Sequence, residues 1–209
     1  MNILFVGAFT NKWSTNYEMV DALNKLNHNV KIFNYRKYEN KKKIFDKIFS
    51  FLKLFTWLPF KINKIYYEIY ARSSIQKELK KEYNELKPDL VILAKTNTLN
   101  PSVINIFKKY SKVIYYFMDP PSTASKIRCD RYIAKSDISF VTFSSVRDKY
   151  YKYRHKIFVL PQGVDIKTFR KINLDKKYDV IFIGSKDKKR EEYISFLKKN
   201  KISVECFGN

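Results

Sequence analysis

The chain has 209 residues, 45% of them apolar and 17% aromatic, with only 4 Gly and 6 Pro. That suffices for one generous domain, or one domain and part of another, and excludes a linker-rich or disordered protein. Lys and Arg number 42 against 20 Asp and Glu, and the net charge of +22 attracts phosphates on nucleic acid, an anionic membrane or a nucleotide without choosing among them.

Cys129 and Cys206 lie far apart, without zinc-ligand spacing, which points to a reducing, cytoplasmic setting. The N-terminus lacks a basic leader segment and enters an apolar run directly, so no signal peptide is expected. Ile3 to Val6, closed by Gly7, reads as a buried parallel strand. Thr15 and Glu18 have the spacing of a capping box, and Met19, Val20, Leu23 and Leu26 then share one helical face. Val30 to Tyr35 alternates as a second strand, which completes the opening of a Rossmann-like βαβ unit. His28 sits in the turn between and reads as structural.

Residues 36–64 change character. Nine Lys or Arg stand against Glu39 and Asp46, nine minus two giving +7, while Ile44, Ile48, Phe51, Phe55 and Leu58 recur at helical spacing. No uncharged stretch approaches the roughly 20 residues needed to span a bilayer. Trp57 and Phe60 flanking Pro59 suit a membrane interface, so 36–64 is either an anionic-membrane contact or a helix packed on its own sheet with a solvated basic face.

Helical pattern continues from Ile65 to Leu86 and stops at Lys87-Pro88-Asp89. Strands are expected at Leu90–Ala94, Val113–Met118, Ile138–Phe143 and Lys156–Leu160. Between them, helices are expected from Asn100-Pro101 to Tyr110, from Ser122 or Thr123 to about Lys135, and after Ser145. Strands alternating with helices predict an α/β fold, a Rossmann-like doubly wound parallel sheet. Pro161 ends the last strand, and Gly163 allows a sharp turn with positive φ and a close backbone approach. The sequence divides into a domain over 1–170, a polar linker over 171–177, and 178–209, the beginning of a second, truncated Rossmann-like domain. That last part holds a strand at Tyr178–Ile183, a helix over about 188–199 and a strand at Val204–Phe207.

In open α/β sheets, ligands bind beyond the carboxyl ends of the strands. The loops there are Gly7–Ser14, Thr96–Asn100, Asp119–Thr123, Ser144–Ser145 and Gln162–Asp165. The Gly-rich dinucleotide fingerprint, a Walker lysine motif, Gly-x-Ser-x-Gly and metal-ligand clusters are all absent from the sequence. Asp119 ends an apolar strand, and Pro120 denies it a helical conformation. Its carboxylate reads as a general base or hydroxyl-orienting group, or equally as a helix N-cap or turn aspartate. Gly184, Ser185 and the following helix start resemble a phosphate cradle, with Lys186 and Arg190 beside it.

Leu160-Pro161-Gln162-Gly163-Val164-Asp165, followed by Phe169, resembles the Pro-x-Gly-Val-Asp-x-x-x-Phe signature of group 1 glycosyltransferases of the GT-B fold. The likeness is closer to the spore-maturation-protein-like branch. It rests on Lys87 to Val91, on the aromatic strand closing in Asp119-Pro120, and on Tyr178 to Gly184. The resemblance implies transfer of a sugar from a nucleotide-sugar to a cell-surface polysaccharide or glycolipid, with no bound cofactor and no metal held by an Asp-x-Asp motif. It puts Asp119 in a catalytic role and Gly7 and Asn11 on the acceptor side. Gln162, Gly163 and Asp165 fall in an interdomain cleft, and Gly184, Lys186 and Arg190 at the donor diphosphate. Family members continue through a complete second domain, whose paired-glutamate region would lie past Asn209. The implied setting is cytoplasmic, peripheral at the inner face of the cell membrane. The alternative is a non-catalytic Rossmann-like binding module for nucleic acid or anionic membrane, although no specific nucleic-acid motif is present.

Overall fold

The computed structural model describes residues 1–10, 14–37, 60–96 and 98–208, with residues 60–72 in backbone only. Two compact units result, Met1–Gly163 and Val164–Asn209.

The first unit is a six-stranded parallel sheet. Its strands are β1 (Asn2–Gly7), β2 (Asn29–Asn34), β3 (Leu90–Ala94), β4 (Lys112–Phe117), β5 (Ile138–Val141) and β6 (Ile157–Val159), in the order β2-β1-β3-β4-β5-β6. The central strands β1, β3 and β4 arise where the sequence offers an apolar run that can be covered on both faces, while the edge strands β2 and β6 stay partly exposed. The side-chain period of two then sorts the residues. In β1, Leu4 and Val6 face one core while Ile3 and Phe5 face the other. In β3, Val91 and Leu93 join the first core, Ile92 and Ala94 the second.

The larger core is covered by α2 (Phe60–Leu86), α3 (Val103–Phe107), α4 (Pro121–Lys126), α5 (Asp130–Lys135) and α6 (Ser144–Lys149). They contribute Ile75, Leu79, Phe107, Ile133 and Val146, among others. The smaller core lies under α1 (Thr15–Lys25), which supplies Val20. Helices on both faces make this the doubly wound, Rossmann-like α/β fold the sequence predicts. On the α1 side the sheet also carries an in-register ladder of Tyr116, Phe140 and Phe158 across β4, β5 and β6.

Several local expectations change. Helix α1 has Ser14 as N-cap and makes no side-chain cap hydrogen bond, so the Thr15–Glu18 capping box does not form. The stretch expected as one helix to Lys135 is two, because Arg128 takes a left-handed φ of 56°. That break re-aims the chain so that Tyr132 and Ile133 turn inward. Helix α3 stops at Phe107 rather than Tyr110, and α6 starts at Ser144 with Phe143 as its N-cap. Lys87 ends α2 in the left-handed region with φ 46°, and Pro88 follows it. The basic segment is described only at 36, 37 and 60–64, so the membrane-contact expectation for 36–64 lies largely outside the described residues. Among the described residues, no helix is long and apolar enough to cross a membrane.

The second unit pairs β7 (Val180–Ile183) with β8 (Val204–Phe207) in parallel, joined by α7 (Lys188–Lys199). Asp187 caps α7 through a 3.0 Å bond accepted from the Arg190 N–H.

Candidate functional site at the sheet switch point

The chain leaves β1 toward β2 on one side and returns past β1 to lay down β3 on the other. Connections therefore diverge between the carboxyl ends of β1 and β3, the place where such sheets leave a crevice. Strand register puts Val6 opposite Leu93, and Ala94 opposite Tyr116. The loops after β1, β3 and β4 thus meet at one edge.

Gly7 closes β1 because a side chain would not fit. A Cβ there would lie 2.8 Å from Asn16 Nδ2 and 3.3 Å from Phe5 Cε1. Asn16, in the first turn of α1, uses the space to donate from Nδ2 to the Ala8 carbonyl at 2.9 Å. The loop after β1 is clamped from β2. Asn34 accepts from the Phe9 N–H at 3.2 Å and donates to the Phe9 carbonyl at 2.7 Å. Phe9 also meets Tyr17 edge-on, with ring centres 4.8 Å apart.

Past β3, Lys95 adopts a left-handed φ of 49°. Its N–H donates to the Tyr116 carbonyl at 3.1 Å, and its carbonyl accepts from the Tyr35 hydroxyl at 2.9 Å. A lysine costs more than glycine in that conformation, so neighbours on both sides over-determine it. The turn aims its ammonium at Asp119, with Nζ 2.7 Å from Oδ2. The pair meets in distance but not in hydrogen-bonding direction, since Oδ2 is buried without a hydrogen-bond partner. Pro120, not Asp119, occupies the N-cap of α4, which removes the capping alternative for this carboxylate.

Three further acceptors are buried without partners on these loops and the first turn of α1: Ser14 Oγ, Asn16 Oδ1 and Thr96 Oγ1. Asn16 is 6% exposed and Thr96 fully buried. Buried polar atoms nearly always find a partner, and leaving one unmade costs about 1–3 kcal/mol. The switch point therefore gathers unsatisfied acceptors, a lysine ammonium and a carboxylate, a set suited to a ligand rich in hydroxyl groups. The carboxylate can accept a hydroxyl proton, and the ammonium can offset the charge this leaves.

Gly7 and Asp119 thus flank one edge, whereas Asn11 lies outside the described residues. Gln162 and Gly163 end the first unit, and Asp165 is the second residue of the other. Gly163 does not take the expected positive φ, and no atom of the chain lies within 4 Å of where its Cβ would be. Asp165 organises its own turn, accepting from the Lys167 N–H at 3.0 Å and the Thr168 hydroxyl at 2.8 Å.

In the second unit, Gly184 and Arg190 do come together at the start of α7, where Lys186 is exposed. The Arg190 guanidinium donates to the Ser185 carbonyl at 2.7 Å and pairs with Asp187 at 3.0 Å. An internal carboxylate therefore already sits where a phosphate would use the helix N-terminus.

Asn16 and Lys95 escape a reading of the sequence alone, whereas Thr96 opens one of the five loops expected there. Lys95 carries a signal only in its place directly after a buried strand, and Asn16 only in following a strand-ending glycine by one loop. No family model matches the chain, and no curated protein matches it either.

Proposed function

We propose that the protein is a glycosyltransferase, or the acceptor-side part of one, which moves a sugar from a nucleotide-sugar to a hydroxyl of a glycan or glycolipid. One observation carries the reading: Asp119 and Lys95 lie 2.7 Å apart at the switch point, beside the unpartnered acceptors Asn16 Oδ1 and Thr96 Oγ1. Sugar hydroxyls donate to such acceptors. Asp119 then acts as the general base that takes the proton of the attacking hydroxyl, and Lys95 holds the carboxylate in place. The motif resemblance of Pro161 to Asp165 and of Tyr178 to Gly184 supports the same class. Gly184, Lys186 and Arg190 are the residues this reading assigns to the donor diphosphate, with Asp187 giving way when it binds.

The test follows nucleoside-diphosphate release from a panel of nucleotide-sugars with oligosaccharide and glycolipid acceptors. Asp119→Asn should lower turnover about 10²–10⁴-fold, the usual contribution of a positioned base. The reading fails if neither donors nor acceptors shift the thermal transition and no donor yields diphosphate.

A further inference from the structure

All six strands of the sheet run the same way, so every strand entry lies on one edge, opposite the switch-point loops. We infer that this entry edge is an electrostatic docking surface for an anionic phospholipid membrane. The inference is independent of the glycosyltransferase reading, because it uses neither the switch point nor any substrate.

The edge is knitted together across neighbouring strands. The Lys112 N–H donates to the Asp89 carbonyl at 3.0 Å and the Asp137 N–H to the Val113 carbonyl at 2.9 Å. Lys156 Nζ donates to the carbonyls of Ala134 and Ser136 at 2.8 and 2.9 Å. Lys87, Lys108, Lys109, Lys112, Lys152 and Arg154 are exposed on it, and Lys135 and Lys156 lie half-buried behind them. The acids are Glu85, Asp89 and Asp137, so eight cations less three acids leave a local charge of +5. Two of those acids are committed, Asp89 to the Asn2 N–H and Asp137 to the Val113 N–H and Lys108. The cations also act on one another. Partial burial and then the nearby Lys108 lower the pKa of Lys156.

Helices end at this edge, and basic residues there offset their dipoles. Those dipoles amount to about half a charge per helix end, which short helices do not reach, so the surplus exceeds that role.

The same rim presents two tyrosines. Tyr110 is 82% exposed and Tyr151 is 70% exposed. Around the 3-10 turn at Tyr151–Lys156, Arg154 lies 5.9 Å from the Tyr151 ring and Lys152 lies 4.8 Å from the Tyr153 ring. Tyrosines with exposed bodies and polar tips suit the headgroup layer. Seven of the eight cations are lysines, point charges that attract a phosphate surface without the fork geometry by which Arg reads nucleic acid. Strands spaced about 4.8 Å apart make the edge from β3 to β6 broad, not a groove that tracks one strand of nucleic acid.

The experiment is flotation of the full chain with vesicles of phosphatidylcholine alone or with phosphatidylglycerol added. The test variant is Lys109→Gln/Lys112→Gln/Lys152→Gln, and the control of equal charge loss is Lys188→Gln/Lys189→Gln/Lys198→Gln in the second unit. Binding to the anionic vesicles should fall about 100-fold in the test variant, near fivefold per lysine, and hold in the control. Tyr110→Ala/Tyr151→Ala should weaken it further, and 0.5 M salt should abolish most of it. Equal loss in both lysine variants would reduce the effect to net charge and overturn the inference. So would no loss in the test variant, or binding of single-stranded DNA that outcompetes the vesicles at equal phosphate. Unchanged far-ultraviolet circular dichroism establishes that each variant is folded.

Discussion

Replacing Gly7 with alanine would put a methyl carbon 2.8 Å from Asn16 Nδ2 and 3.3 Å from Phe5 Cε1. Phe5 is fully buried and cannot retreat, so Asn16 must move and its 2.9 Å bond to the Ala8 carbonyl breaks. Losing that bond in a partly buried setting costs about 1–3 kcal/mol. Alanine restricts the unfolded chain more than glycine, which returns about 0.4–1 kcal/mol. The net expectation is a loss of about 1–2 kcal/mol, or a fall of about 0.5–1 M in the urea midpoint. The decisive assay is a double-mutant cycle followed by circular dichroism. In an Asn16→Ala background the methyl group has room, so Gly7→Ala should become neutral or slightly stabilising. The expected coupling is about 1–2 kcal/mol. If the two substitutions add to within about 0.3 kcal/mol, the reasoning that Gly7 exists to admit Asn16 is wrong.

Tyr83 is buried, and its hydroxyl donates to the Phe107 carbonyl at 2.8 Å and accepts from Ser111 at 3.1 Å. Tyr83→Phe should destabilise by about 0.5–1.5 kcal/mol in urea titration, because the Phe107 carbonyl loses its side-chain donor where α2 meets α3 but keeps the Ser111 N–H. Burial pushes the Cys129 thiol up to about 11, above the ~8.5 of an unfolded chain. A raised folded pKa means that its contribution to stability is complete below about pH 8.5 and is lost as pH rises through about 11. Cys129→Ala should therefore flatten the alkaline part of the stability profile relative to wild type, and an unchanged slope would exclude the thiol. Aromatic disulfide reagents should label the exposed Cys206 in the native state and Cys129 only on unfolding.

The strands were legible in the sequence because a parallel strand writes itself locally, as a short apolar run ended by Gly, Pro or Asp. Leu90–Ala94 is read to the residue, and β1, β2 and β4 within one or two at each end. Helix ends were less legible, since Arg128 takes its left-handed turn to bring Tyr132 and Ile133 inward, which its own residue type does not announce. Asp119 was visible as a carboxylate after a strand. Its partner was not, because Lys95 is 24 residues away and reaches it only once β3 and β4 pair in register. Gly163 differed in the opposite sense, since a glycine in a turn suggests a positive φ that the structure does not adopt there.

The sequence by itself determined the α/β alternation, the burial of the central strands β1, β3 and β4 and the net charge of +22. These follow from composition and from periods of two and 3.6, which act between near neighbours. Only the tertiary structure decided which loops share an edge, because strand order depends on contacts between residues far apart in the chain. That order gathers Gly7, Asn16, Lys95, Thr96 and Asp119 at one end of the sheet. The common direction of the strands sends Lys87, Lys109, Lys112 and Lys152 to the other, and turns a charge scattered along the chain into a surface.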